Sequence, residues 1–134
     1  KFIGDAVLAL FGVPIKHENH AQQAINAAKK IRIKRDELNI EFEKEGLPKL
    51  QTGIGIHTGQ LVAGNIGSDV RMEFTAIGDT VNVAARLETS CKRVGKDLLF
   101  SHETVSSLNN STDCKRLGRL KVKGRKEPIV IYSI

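Results

Sequence analysis

From about Asn19 to Lys44, the residues Ala21, Ala24, Ile25, Ala28, Ile31, Leu38 and Phe42 recur at the spacing of one α-helical face, and Lys, Arg, Glu and Gln fill the other. Gly46 and Pro48 stop the pattern. A helix amphipathic in this way has to lay its stripe on an apolar surface. The rest of the chain reads chiefly as short strands that would supply one.

Phe2-Ile3, Gly4-Asp5 and Ala6 to Phe11 read as strand, tight turn and strand, with glycine at the first turn position of a two-residue hairpin. The second run is apolar throughout, so both of its faces are expected to be covered. Gly12-Val13-Pro14 ends it. Leu50 to His57 reads as a strand, Thr58-Gly59 as a turn into Gln60 to Gly64, and Gly64 to Asp69 as a loop. Arg71 to Ala76 is a short strand. A helix then opens at Gly78-Asp79, with Asp79 as N-cap, and runs to about Arg93. Leu98 to Phe100 is a strand, Ser101 caps a short helix, and Leu117 to Lys123 and Ile129 to Tyr132 form a last strand pair around Gly124. The order predicts an α+β domain, a mostly antiparallel sheet packed by helices, spanning 1–134 without repeat or linker.

Lys and Arg number 21 against 15 acids, a formal charge of +6, which favours an anionic partner: nucleic acid, anionic lipid or polyphosphate. Seven of the basic residues fall between Lys115 and Lys126 with no acid among them; such runs are ordinarily a solvated strand face. Aromatic content is 4% and Trp is absent, which weighs against stacking on single-stranded nucleic acid. No apolar stretch is long enough to span a membrane. Cys91 and Cys114 lie far apart without a CxxC and read as free thiols in a reducing cytoplasm. His17, His20, His57 and His102 are scattered without ligand spacing, and His57 reads as structural. The start, Lys1 to Asp5, is unlike a signal peptide and reads like the middle of a domain, so a truncation is expected.

Three segments carry a resemblance: Lys1-Phe2-Ile3-Gly4-Asp5-Ala6, the thirteen residues Phe74 to Arg86 (Phe-Thr-Ala-Ile-Gly-Asp-Thr-Val-Asn-Val-Ala-Ala-Arg), and Leu120-Lys121-Val122-Lys123-Gly124. With His57-Thr58-Gly59 and Ala63 to Gly67 between them, the chain resembles the class III adenylyl and guanylyl cyclases along essentially its whole length. The resemblance implies a ferredoxin-like βαββαβ-type cyclase homology domain lacking its first strand and helices.

Taken alone, Asp5 reads as an ordinary turn aspartate. Its place at a rigid hairpin tip also suits a Mg²⁺ ligand, since Mg²⁺ takes one or two carboxylates plus substrate phosphates. The resemblance favours the second reading and implies two Mg²⁺ or Mn²⁺ ions per site, with the second aspartate on a strand preceding Lys1. Asn82 and Arg86, four apart on one helix face, read by spacing as surface residues. By resemblance Asn82 orients the ribose, and Arg86 meets charge developing as the 3′-hydroxyl attacks the α-phosphate. Lys1 and Thr75 match the base-reading positions: an ammonium donates to adenine N1 and a hydroxyl accepts from the 6-amino group. Many family members carry Asp where Thr75 stands, and the Lys/Thr pairing resembles adenylyl cyclases, some responsive to bicarbonate. Lys123 matches a lysine that meets the triphosphate; Lys121 and Arg125 read as strand-face charges.

In the family, the metal aspartates and the Asn/Arg pair of one site come from different subunits. A homodimer with two shared sites is therefore expected. The reading is a cytoplasmic adenylate cyclase domain from a larger bacterial protein, soluble or membrane-anchored, turning ATP into 3′,5′-cyclic AMP and pyrophosphate. Its rivals are a guanylate cyclase, a catalytically silent cyclase-like domain, and a nucleic-acid-binding domain.

Overall fold

The computed structural model describes residues 1–13, 15, 18–68 and 71–134, with the backbone alone over 65–68 and 71–75. Eleven elements follow in order among them: β1 (Phe2–Ile3), β2 (Ala6–Val7), α1 (His20–Lys44), β3 (Ile54–Ile56), β4 (Val62–Ser68), β5 (Arg71–Ile77), α2 (Asp79–Val94), β6 (Leu98–Ser101), α3 (His102–Ser106), β7 (Lys115–Leu120) and β8 (Ile129–Ser133). A four-stranded sheet in the order β3-β6-β8-β7 forms the centre. β3 and β6 pair in parallel, and every other described pairing is antiparallel. The fold class is α+β, as the sequence pattern predicts.

The central sheet is covered on both faces. Val83, Leu87 and Cys91 of α2 pack with Leu99, Leu120, Val122, Ile129 and Ile131 on one side. Ile25 and Ala28 of α1 pack with Leu98 and Phe100 on the other, joined by Val105 of α3. Alternate residues of β6 thus serve opposite layers, which explains why Leu98-Leu99-Phe100 is apolar without interruption. Along α1 the stripe is used unevenly. Ala21, Ala24, Ile25 and Ala28 are buried, whereas Ile31 and Leu38 stay exposed along with Ile33 and Ile40. The helix is fastened instead by charge. Arg32 Nε and Nη2 donate to the Asp97 carboxylate, Nη2 at 2.5 Å, and Arg35 Nη1 donates to it at 2.7 Å. Burial works against the Asp97 anion, but these hydrogen bonds outweigh it and hold its carboxyl below the usual range.

Several boundaries differ from the sequence reading. The second strand was expected to run from Ala6 to Phe11 under cover on both faces; β2 stops at Val7, which is 66% exposed. The hairpin pairs only with itself among the described strands, Phe2 opposite Val7 and Ile3 opposite Ala6, and all four of these residues are exposed. The stretch read as a loop from Gly64 onward is strand: β4 pairs with β5 in unbroken register from Val62 opposite Ile77 to Ser68 opposite Arg71. A glycine-rich sequence is a poor strand former, but the partner's ladder overrides that preference. Asp69, at the end of that expected loop, lies outside the described residues, as do Pro14 and His17. β3 is shorter than the expected Leu50 to His57 and β7 ends before Lys123.

Candidate active-site cleft

The placement of α2 decides the site, and two glycines decide the placement. β5 passes into α2 through Gly78 alone, at φ 144°, a conformation that side chains rarely adopt. Gly78 is therefore the N-cap position, and Asp79, expected there, is the first helical residue with no capping hydrogen bond. Its carboxylate still sits in the first turn, where the helix dipole favours an anion. Under the helix, a Cβ on Gly55 would lie 2.4 Å from both the Ala84 carbonyl oxygen and the Glu88 amide nitrogen. The backbone of α2 thus rests directly on β3. Gly53 and Gly59 continue this track: a Cβ on either would meet Cys91 at 3.2 Å or Thr80 Oγ1 at 2.7 Å. Thr80 Oγ1 also donates to the Gln60 carbonyl, tying the start of the helix to the segment after β3.

With α2 so fixed, Val83 packs in one core cluster with Val122. Their contact brings the polar neighbours of each across from the other. A cleft of about 470 Å³ opens there, lined by Asp79, Asn82 and Arg86 of α2 and by Lys123, Gly124 and Arg125 of the turn before β8. Three of the six site residues expected from sequence, Asn82, Arg86 and Lys123, therefore share one cleft, and all three are exposed to solvent. Lys1 and Asp5 do not line it. They stand on the β1–β2 hairpin, Asp5 exposed in its turn, Lys1 beside the Leu8 carbonyl that accepts from its α-amino group at 2.7 Å. Thr75 lies on β5 opposite Gly64; its side chain is outside the described residues.

Arg125, read from sequence as a strand-face charge, lies in the cleft wall instead, its side chain 34% exposed and its Nη1 4.0 Å from Asp79 Oδ2. Asp79 was read only as a cap. The signal available for Arg125 was its position one residue beyond the Lys123-Gly124 turn. His57, read from sequence as structural, is buried: its side chain is 7% exposed and its Nδ1 shares a 2.7 Å hydrogen bond with Ser101 Oγ. Burial depresses its pKa, and Arg125 adds to that while Glu103 and Asp79 oppose it. Ser101 caps α3 by accepting from the Thr104 amide. Cys91 and Cys114 are free, as expected, and burial raises the pKa of both thiols.

Among the described residues no helix is long and apolar enough to cross a membrane, and no three His, Cys, Asp or Glu side chains cluster as a metal cage.

With the fold and the cleft described, comparison with known proteins identifies the family. The chain belongs to the adenylate and guanylate cyclase catalytic domain family, whose model matches residues 1–134. It is 37% identical over its whole length to adenylate cyclase 1 of Rhizobium meliloti, of which it spans 20%. Among solved structures it is similar to the adenylyl cyclase CyaB from P. aeruginosa, with TM-score 0.84 and 34% identity over 98% of this chain and 68% of that one. The guanylyl cyclase Cya2 is similar too, with TM-score 0.83 and 30% identity over 98% of this chain and 66% of that one.

Proposed function

We propose that this domain is an adenylate cyclase of the Lys/Thr subclass, working as a homodimer whose two sites are each shared between copies. The observation that supports this reading is the convergence of Asn82, Arg86 and Lys123 on one cleft whose lining does not include the hairpin residue Asp5. One copy then offers the cleft and the other the metal aspartate. Lys1 and Thr75 read the adenine ring of ATP, Asn82 orients the ribose, and Lys123 holds the phosphate tail. Arg86 faces the α-phosphoryl group as the 3′-oxygen bonds to phosphorus and pyrophosphate leaves, so its contact strengthens as negative charge accumulates. Asp5 is the carboxylate in this chain that would hold Mg²⁺ or Mn²⁺. When bound, two such ions neutralise phosphate charge and orient the attacking and leaving oxygens. The likeness to both an adenylyl and a guanylyl cyclase keeps guanylate cyclase as the second reading.

The test presents ATP and GTP in competition with Mg²⁺ or Mn²⁺ and separates the products by chromatography. Cyclic AMP is expected to dominate, and R86A to lower turnover about 10²–10³-fold. An equal mixture of D5N and R86A chains, each inactive alone, is expected to recover about a quarter of the activity, since half the dimers are mixed and each mixed dimer has one intact site. Preferential cyclic GMP formation would turn the assignment to guanylate. Nucleotide binding without product would turn it to a silent signalling domain. Bicarbonate, titrated in the same assay, tests for a bicarbonate regulator.

A further inference from the structure

Arg125 has no part in the reading above, yet the cleft is built around it. Of the charged residues lining the cleft, Arg86, Lys123 and Arg125 are cationic and Asp79 is anionic, so the lining carries a formal charge of +2. Arg125 Nη1 is buried and finds no hydrogen-bond partner among the described residues. Asp79 Oδ2, at 4.0 Å, is close enough for an ion pair but too far to accept its hydrogen. Asp79 itself is 71% exposed and can turn into water. A surface arginine with no task would solvate its guanidinium nitrogens, because a buried N–H without an acceptor is costly. This donor belongs to a side chain that lines the same cleft as two other cations, and a rotation of the guanidinium would bring it out to the acceptor oxygens of a polyanion seated there.

We propose that Asp79 and Arg125 form an exchange pair: Asp79 holds Arg125 at the cleft wall by charge in the free protein, and Arg125 turns its unpartnered Nη1 N–H to a polyphosphate seated on Lys123. Arg125 is then a second phosphate-binding residue and Asp79 its positioning residue. The ligand class is a chain of two or more phosphates, whose charge and length suit a lining with three cations. The proposal rests on the nucleotide reading of the cleft but is separable from it. The guanidinium is suited to the task because it presents several donors in a planar fork, so a rotation can aim it from the Asp79 charge toward phosphate oxygens.

The experiment measures calorimetric affinity of the full chain for inorganic tripolyphosphate and for orthophosphate at fixed salt, with thermal melts confirming that each variant is folded. R125Q is expected to weaken tripolyphosphate binding about tenfold, the size of one charge-assisted hydrogen bond, and to leave orthophosphate binding unchanged. R125K should restore part of the loss. D79N is expected to tighten tripolyphosphate binding several-fold in the wild-type background and much less in the R125Q background, because the competition it relieves requires the arginine. If K123Q weakens binding while R125Q does not, the exchange pair is overturned and the nucleotide reading stands. If D79N tightens binding equally in both backgrounds, Asp79 acts as a plain repulsive charge and the pairing is overturned. If the wild-type chain binds no tripolyphosphate, or K123Q and R125Q both leave its affinity unchanged, the cleft is not a phosphate site and both readings fall together.

Discussion

Gly55→Ala tests the central structural claim, that the backbone of β3 carries α2 at contact distance. The added methyl would sit 2.4 Å from the Ala84 carbonyl oxygen and the Glu88 amide nitrogen and 2.9 Å from Leu87 Cβ, where ordinary contact begins at 3.4 Å. The first two are helix backbone atoms, so no side chain can swing aside, and α2 must lift by about 1 Å. Overpacking of this kind costs about 1–3 kcal/mol; with backbone on both sides the upper part of that range is expected, a fall in Tm of about 10 °C for a domain of this size. Leu87, wholly buried beneath α2, would lose part of its packing at the same time. Because α2 also carries Asn82 and Arg86, the same displacement should lower turnover about 10²-fold, as expected for a misplacement of that size. The assay pairs urea unfolding with steady-state turnover. Gly64→Ala is the control: its Cβ would meet nothing within 4 Å among the described residues, so it should change stability by less than about 1 kcal/mol. A G55A protein as stable and as active as G64A would refute the glycine-track reasoning.

Asp97→Asn should cost about 1.5–3 kcal/mol in urea unfolding, since three guanidinium donors from Arg32 and Arg35 lose a charged acceptor that is only partly exposed. Because the folded pKa of Asp97 is lowered, its contribution is intact above the usual carboxylate range and disappears as pH falls below about 4, where the unfolded chain takes up the proton first; D97N should flatten that acid limb. His57 is held neutral by burial, so from about pH 6.5 downward the unfolded chain binds a proton that the folded one refuses, and stability should fall there. His57→Gln should abolish that slope in a pH series of melts, and a slope unchanged by the substitution would show that another group titrates.

The elements that could be read in the sequence are those whose signal is local. The α1 period, the apolar β6 run and the Ser101 cap each depend on residues within a turn or two of one another, and each is found where expected. β4 was missed because Gly64 and Gly67 lack strand propensity and the ladder that holds them comes from β5. The glycines at 53 and 55 were present as a signal, since glycine repeated inside an apolar strand marks close backbone approach. What approaches, however, is set by Ala84 and Glu88, some thirty residues along the chain.

The site divides in the same way. Asn82 and Arg86 are visible as a pair because four residues along a helix is one turn, and the helix is written in the sequence around them. The basic run from Lys115 to Lys126 has no such internal ruler: its charges are alike in composition, and nothing local separates Arg119 on the strand from Arg125 in the turn. The separation is made by Val122, which buries itself against the α2 layer beside Val83 and so turns Lys123 and Arg125 toward the helix carrying Arg86. Charge density along a sequence therefore reports that an anion is favoured, and the apolar residue interrupting the charges decides which of them can reach it. By that logic Val122, an ordinary core residue in its energetics, is what brings Lys123 and Arg125 of a merely basic strand end to the cleft that Arg86 lines.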